Sequence, residues 1–166
     1  MKKAFTLVEF LIYFSLVFII LSTMGTISFN IFKEQARLKA AESIKQSALS
    51  AMEKITTGIM NSTAINELAP GSFVIASAGS NDKTFSLKMA DPTKDPTIIE
   101  LSNGIIKIKE GNSPSQNVTG NDVVVTDLEL QNVSYPETPG TIRMKLTLKS
   151  SGLEKEFYAT ANIRKK

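Results

Sequence analysis

At 166 residues, 42% hydrophobic and 21% charged, the chain has room for one modest domain beside a membrane helix and not for two. A net charge of +3 with a pI near 9.1 is too mild to argue nucleic-acid binding by itself. The absence of Cys and His removes disulfides, the thiol nucleophile, the usual general base and the soft metal ligands, which leaves an enzyme without its common tools.

The first element is the run Phe5 to Phe32, whose single formal charge is Glu9. A helix needs only about 20 apolar residues to cross roughly 30 Å of hydrocarbon, so this run is long enough to span. An acid inside such a helix costs on the order of 2.5 to 3.5 kcal/mol on the insertion scale and asks for a cation. Upstream, Lys2 and Lys3 lie on the leader Met1 to Ala4 and read as a cytoplasmic anchor by the positive-inside rule. A cut after Ala4 would supply a nearer cation, the α-amino group of Phe5.

Lys2-Lys3-Ala4, then Phe5-Thr6-Leu7-Val8-Glu9, then an apolar helix resembles the class III signal of type IV pilin-like proteins, a group of pilins, minor pilins and type II secretion pseudopilins. The resemblance implies leader cleavage between Ala4 and Phe5 by a prepilin peptidase, N-methylation of Phe5, and an assembly role for Glu9. It implies as partners other pilin or pseudopilin subunits through the N-terminal helix, the peptidase/methyltransferase, an inner-membrane assembly platform and the lipid bilayer. The family usually carries Gly before the cut where this chain has Ala4, and its major pilins often carry a Pro in the helix where the breaker here is Gly25. Many major pilins also close their C-terminal region with a disulfide, a device absent from this chain. An ordinary secretory signal would have a shorter apolar core ending at a small-x-small site. Ser22, Thr23 and Gly25 supply small residues, but the apolar pattern runs past them. An uncleaved signal anchor accounts for the length and leaves Glu9 unexplained.

From Lys33 to Ser62 the chain turns polar without losing helical rhythm. Leu38, Ala41, Ile44, Ala48, Met52, Ile55 and Ile59 form one stripe, with Lys39, Glu42, Lys45, Gln46 and Glu53 mostly off it. No Pro precedes Pro70, so one continuous helix is expected from Phe5 to Asn61, about 85 Å long at about 1.5 Å per residue. A coiled coil is the competing reading of its second half, but the stripe is Ala-rich, lacks clean heptads and is followed by strands.

Leu68-Ala69-Pro70-Gly71 is a stop signal, beyond which the period changes to two. The expected divisions are a leader at 1–4, a transmembrane or filament-core helix at 5–32, its amphipathic continuation at 33–62 and a β-rich head at 70–166. Ser72 to Ala76 and Thr84 to Met89 read as strands of a hairpin around Gly79 to Asp82. Two Asp-Pro pairs, Asp91-Pro92 and Asp95-Pro96, lack calcium-loop spacing and read as turn chemistry. Ile98 to Leu101 and Ile105 to Lys109 flank Asn103-Gly104, a strong hairpin signal. A polar loop at 110–117 follows, then extended runs at 123–125 and 128–135. In the last pair, Ile142, Met144, Leu146 and Leu148 alternate with Arg143, Lys145, Thr147 and Lys149, and the return run places Phe157, Ala159, Ala161 and Ile163 on alternate positions. This predicts a hairpin with one wet, basic face. The run from Val125 to Leu130, a Pro-containing turn, the alternating strand and a closing strand ending at Ile163-Arg164 are similar to J-type minor pseudopilins and larger minor pilins.

The predicted fold is α+β: a long N-terminal α-helix, transmembrane in its first half and amphipathic in its second, packed on a mainly antiparallel β-sheet head. No catalytic residue, metal ligand or cofactor site is expected; Asp122 and Asp127 read as solvated surface. Arg143, Lys145, Lys149, Lys155 and the Arg164 to Lys166 tail could hold DNA, but such charges more often blunt an edge strand. The resemblance implies a structural subunit of a type IV pilus, type II secretion or competence filament. It would sit in the cytoplasmic membrane as a single-pass protein with its head extracytoplasmic, and after assembly on the cell surface or in a periplasmic filament. The competing reading is a membrane-anchored extracytoplasmic binding module, for which Glu9 would be incidental.

Overall fold

The computed structural model describes residues 6–66, 68–69, 72–77, 84–135 and 140–164. The expected turns at Pro70-Gly71, Gly79 to Asp82 and Pro136 to Pro139 therefore lie outside the described residues, as do Lys165 and Lys166. One helix, α1 (Leu7–Asn61, 55 residues), bears out the continuous helix expected from the lack of Pro. Among the described residues nine strands follow it: β1 (Ser62–Asn66), β2 (Phe73–Ser77), β3 (Thr84–Met89), β4 (Thr97–Ser102), β5 (Ile105–Glu110), β6 (Gln116–Asn117), β7 (Val124–Asn132), β8 (Thr141–Ser150) and β9 (Leu153–Asn162). The chain forms two compact units, Met1–Lys39 and Ala40–Lys166. In the first, every described residue is exposed. In the second, helix and strands share a hydrophobic core, so the fold is α+β with antiparallel sheets.

The buried helical stripe is Ala40, Ile44, Ser47, Ala48, Ala51, Ile55 and Ile59. At about 100° per residue, Ala51 and Ile55 fall within about 20° of Ile44, whereas Met52 falls about 80° away and Leu38 about 120°. The stripe expected from the sequence is corrected accordingly: Ala41 and Met52 are half-buried and Leu38 is exposed.

The strands form a five-stranded sheet, β1-β3-β4-β5-β6, and a four-stranded sheet, β2-β7-β8-β9, antiparallel throughout the described pairs. Alternation chooses the faces: Ile142, Met144, Leu146 and Leu148 of β8 are buried while Arg143 and Lys149 are exposed. Fully burying each such side chain is worth about 1.5 to 3 kcal/mol. Two hairpins close through two-residue turns with both φ positive, Asn103 (52°) with Gly104 (73°) and Ser151 (47°) with Gly152 (79°). That is the type I′ geometry whose twist matches the flanking strands.

Four expectations change. β2 and β3 are strands as expected but belong to different sheets: β2 pairs with β7, setting Val74 against Leu130 and Ala76 against Leu128. A connection of six residues is longer than the two-residue turns that force neighbouring strands to pair. β1, unread in the sequence, leaves the helix without a breaker, Ser62 Oγ donating to the Ile59 carbonyl at 2.7 Å. The two runs before Tyr135 are one strand, β7, whose register shifts between Val125 and Asp127 and so leaves Thr126 as a bulge. The polar loop at 110–117 ends in β6, whose Gln116 pairs with Ile108. A hydrogen bond from Val125 N to the Gly104 carbonyl (2.8 Å) links the two sheets, while one from Asn132 N to the Ser72 carbonyl (2.9 Å) extends the β2–β7 ladder within its own sheet.

Candidate functional site

Glu9 sits at the third residue of α1, where a carboxylate finds donors in its own helix turn. Its Oε2 accepts from Thr6 N and from Thr6 Oγ1, each at 3.1 Å, while its N–H donates to Thr6 Oγ1 at 3.3 Å. The first N–H groups of a helix have no intrahelical acceptor, and this reciprocal arrangement, a capping box, satisfies two of them. The helix dipole further favours negative charge at this end. The signal was in the sequence as Thr6-Leu7-Val8-Glu9. Besides any external cation, Glu9 thus has a partner in Thr6 of its own turn. Ala4 and Phe5, the proposed cleavage and methylation residues, lie outside the described residues.

From Leu7 to Phe32 the helix presents large apolar side chains on every side. Leu7, Phe18 and Phe32 are 77%, 65% and 69% exposed, and Phe10 stacks on Phe14 with ring centroids 6.2 Å apart. Three of its hydroxyls bond back to the preceding turn: Ser15 Oγ donates to the Ile12 carbonyl (2.8 Å), Thr23 Oγ1 to Ile20 (2.8 Å) and Thr26 Oγ1 to Ser22 (3.0 Å). Hydroxyls satisfied this way add little cost in hydrocarbon. With a mean hydropathy of 2.2 over its most apolar window, this helix is long and apolar enough to cross a membrane. An apolar surface this extensive marks a site for lipid or for other protein. The stretch closes on Lys33, whose Nζ lies 4.5 Å from the Phe29 ring centroid.

No protein family, curated protein or solved structure matches the chain. The arrangement, one long apolar N-terminal helix and antiparallel sheets, is compatible with a pilin-like fold.

The outer face of the β7-β8-β9 hairpins corrects the expected basic surface. Lys145 pairs across strands with Glu129 and Tyr158, and Lys149 with Glu154. Lys145 Nζ lies 2.9 Å from Glu156, whose other oxygen accepts from the Tyr158 hydroxyl at 2.6 Å. The Tyr158 and Lys145 bonds hold the Glu156 carboxyl below its ordinary range, and the Glu156 bond raises the pKa of both Lys145 and Tyr158. Acids interleave with bases here, which gives a polyanion such as DNA no uniform track. Lys155 pairs with buried Leu148 and so lies on the core-facing side of the edge strand β9.

The Asp-Pro repeat does turn chemistry. Asp91 Oδ1 accepts from Thr93 N (2.9 Å) and Thr93 Oγ1 (2.7 Å), bonds that lower its pKa, and Asp95 Oδ1 accepts from Met89 N (2.8 Å). Asp127 Oδ1 accepts from Ser77 Oγ at 3.1 Å, and the Asp122 carbonyl accepts from Ser150 Oγ at 2.8 Å. A groove of about 670 Å³ lies between the helix at Lys54 and Gly58 and the strands at Ile99 and Ile108, its rim closed by the 3.2 Å Lys94–Glu110 pair. Its size is that of a small-molecule site.

Proposed function

We propose that this chain is a structural subunit, a minor pilin or pseudopilin, of a type IV pilus, type II secretion or competence filament. In this reading the chain waits in the cytoplasmic membrane with its head outside, is cut between Ala4 and Phe5, and is methylated on Phe5. It then enters a helical bundle in which the stretch from Phe5 to Phe32 packs against neighbouring subunits. The observation that carries the reading is the exposed apolar helix with one acid near its start, preceded by Lys2-Lys3-Ala4. Lipid covers that surface before assembly and other helices cover it afterwards, while a separate core keeps the head folded in both states. The role is architectural rather than catalytic.

Glu9 would meet the charged amino terminus of a subunit in the bundle. Breaking a buried pair from one side costs roughly 3 to 5 kcal/mol, enough to stop incorporation. The capping box allows a sharp test, because Gln at the third helical position also closes such a box. Glu9→Gln keeps the cap and removes the charge, whereas Glu9→Leu removes both. If the charge drives assembly, both variants accumulate in the membrane with folded heads and are missing from sheared filaments. Normal incorporation of Glu9→Gln would reduce Glu9 to a helix cap, whereas absence of the unaltered chain from sheared filaments would leave a membrane-anchored binding module as the better reading. Mass spectrometry of the N-terminal peptide tests the cut, which a bulky residue at Ala4 should block.

A further inference from the structure

The apolar run and the membrane it would cross differ in length. Leu7 to Phe32 covers about 39 Å at about 1.5 Å per residue, against roughly 30 Å of hydrocarbon. Whichever end is pinned decides where the surplus goes. The two ends are unequal: the proposed cut removes Lys2 and Lys3 from one, whereas Lys33, Arg37 and Lys39, opposed only by Glu34, follow directly on the other. Lys33 and Arg37 are four residues apart and so share a side of the helix, and the Lys33 ammonium already rests 4.5 Å from the Phe29 ring. An aromatic ring with a cation over it, at the last apolar turn, is the composition of a membrane–water boundary.

We infer that Lys33, Arg37 and Lys39 form a basic collar that binds the phosphates of anionic phospholipids and thereby fixes the depth of the helix. The collar rests on the membrane reading above and adds to it a partner and a register. Glu9 precedes Lys33 by 24 residues, about 36 Å of helix, which exceeds the hydrocarbon thickness. With Lys33 held among headgroups of one leaflet, Glu9 lies among those of the other, capped by Thr6 and hydrated. The carboxylate then avoids hydrocarbon until the helix leaves the bilayer. Without the collar, tilt absorbs the surplus length and draws the Glu9 turn inward.

The chain has no Cys, so single-Cys labelling reports one position cleanly. Phe10→Cys and Val17→Cys proteins that begin at Phe5 are placed in nanodiscs of phosphatidylcholine with and without phosphatidylglycerol and exposed to a membrane-impermeant maleimide. With phosphatidylglycerol, Phe10→Cys labels and Val17→Cys is protected. Omitting that lipid, or adding Lys33→Gln, Arg37→Gln and Lys39→Gln together, slows labelling of Phe10→Cys on the order of tenfold. The charge-conserving Lys33→Arg and Lys39→Arg pair restores it. Equal labelling of Phe10→Cys under all these conditions, with Val17→Cys still protected, overturns the collar and leaves the membrane reading standing. Labelling of Val17→Cys as fast as Phe10→Cys overturns both.

Discussion

A carboxylate at the third position of a helix has partners within its own turn, and Glu9 is held by the N–H and hydroxyl of Thr6. Losing an N-cap costs about 1 kcal/mol. Thr6→Val should therefore speed amide exchange over Leu7 to Phe10 while leaving the melting temperature of the head unchanged, and Thr6→Ser should restore protection. Position, residue type and the apolar run around Glu9 were all legible in the sequence. Its local partner was legible too, in the Thr-x-x-Glu spacing, but a search for a counter-ion passes over it. The charge pairs on the outer face were less legible, because alternation identifies a face and not the acid that a neighbouring strand brings there. The bonds from Tyr158 and Lys145 lower the pKa of Glu156. A depressed carboxyl contributes stability above its unfolded pKa and loses it as the pH falls through the folded one. Glu156→Gln should thus shallow the acid limb of melting temperature against pH, which scanning calorimetry across that range would read; an unaltered limb would show that the pair contributes nothing.

At the scale of elements, the turns with positive φ were the most legible and the pairing of strands the least. Asn-Gly and Ser-Gly between alternating runs specify their hairpins by steric demand, since both turn residues must adopt a left-handed conformation. Gly104 does more than turn the chain: its φ is +73°, its carbonyl accepts from Val125 N, and a Cβ there would stand 2.7 Å from Val124 Cγ1. Gly104→Ala is expected to cost on the order of 1 to 3 kcal/mol through strain at the turn and displacement of β7. Chemical denaturation should show a lower midpoint with an unchanged slope. The partner of β2 was hidden, because Val74 and Ala76 fit any apolar strand and only the second sheet supplies Leu128 and Leu130. β9 is a ten-residue edge whose pairing to β8 is free of bulges, and Lys155 on its core-facing side is the kind of charge that deters a further strand. Lys155→Val should make the head associate with rising concentration in light scattering, and Lys155→Glu should stay monomeric. A monomeric Lys155→Val would mean that something other than this charge guards the edge.

For the whole molecule, the division that matters falls inside the helix. Period and polarity place a change near Lys33, whereas the second compact unit begins at Ala40, and the stop at Pro70 that looks like a boundary in the sequence lies well within that unit. Sequence reasoning could not find this point because the helix crosses it without a breaker; only burial, which starts with Ala40 and Ile44, marks it. The buried core draws on Ile44, Ile55 and Ile59 of the helix together with Leu87, Ile99, Leu130 and Leu146 of both sheets, and among the described residues takes nothing from before Ala40. A fragment starting at Lys39 should therefore fold without detergent, unfold in one cooperative step and match the head of the full-length protein in melting temperature. Within it, Ile55→Ala removes a side chain buried at the centre of that core and should cost about 2 to 5 kcal/mol, with both sheets lost together. Leu49→Ala, on the exposed side of the same helix, should cost little. Two separate transitions in the Ile55→Ala fragment would show that each sheet holds a core of its own, and that the helix is a passenger on one of them rather than the element that joins both.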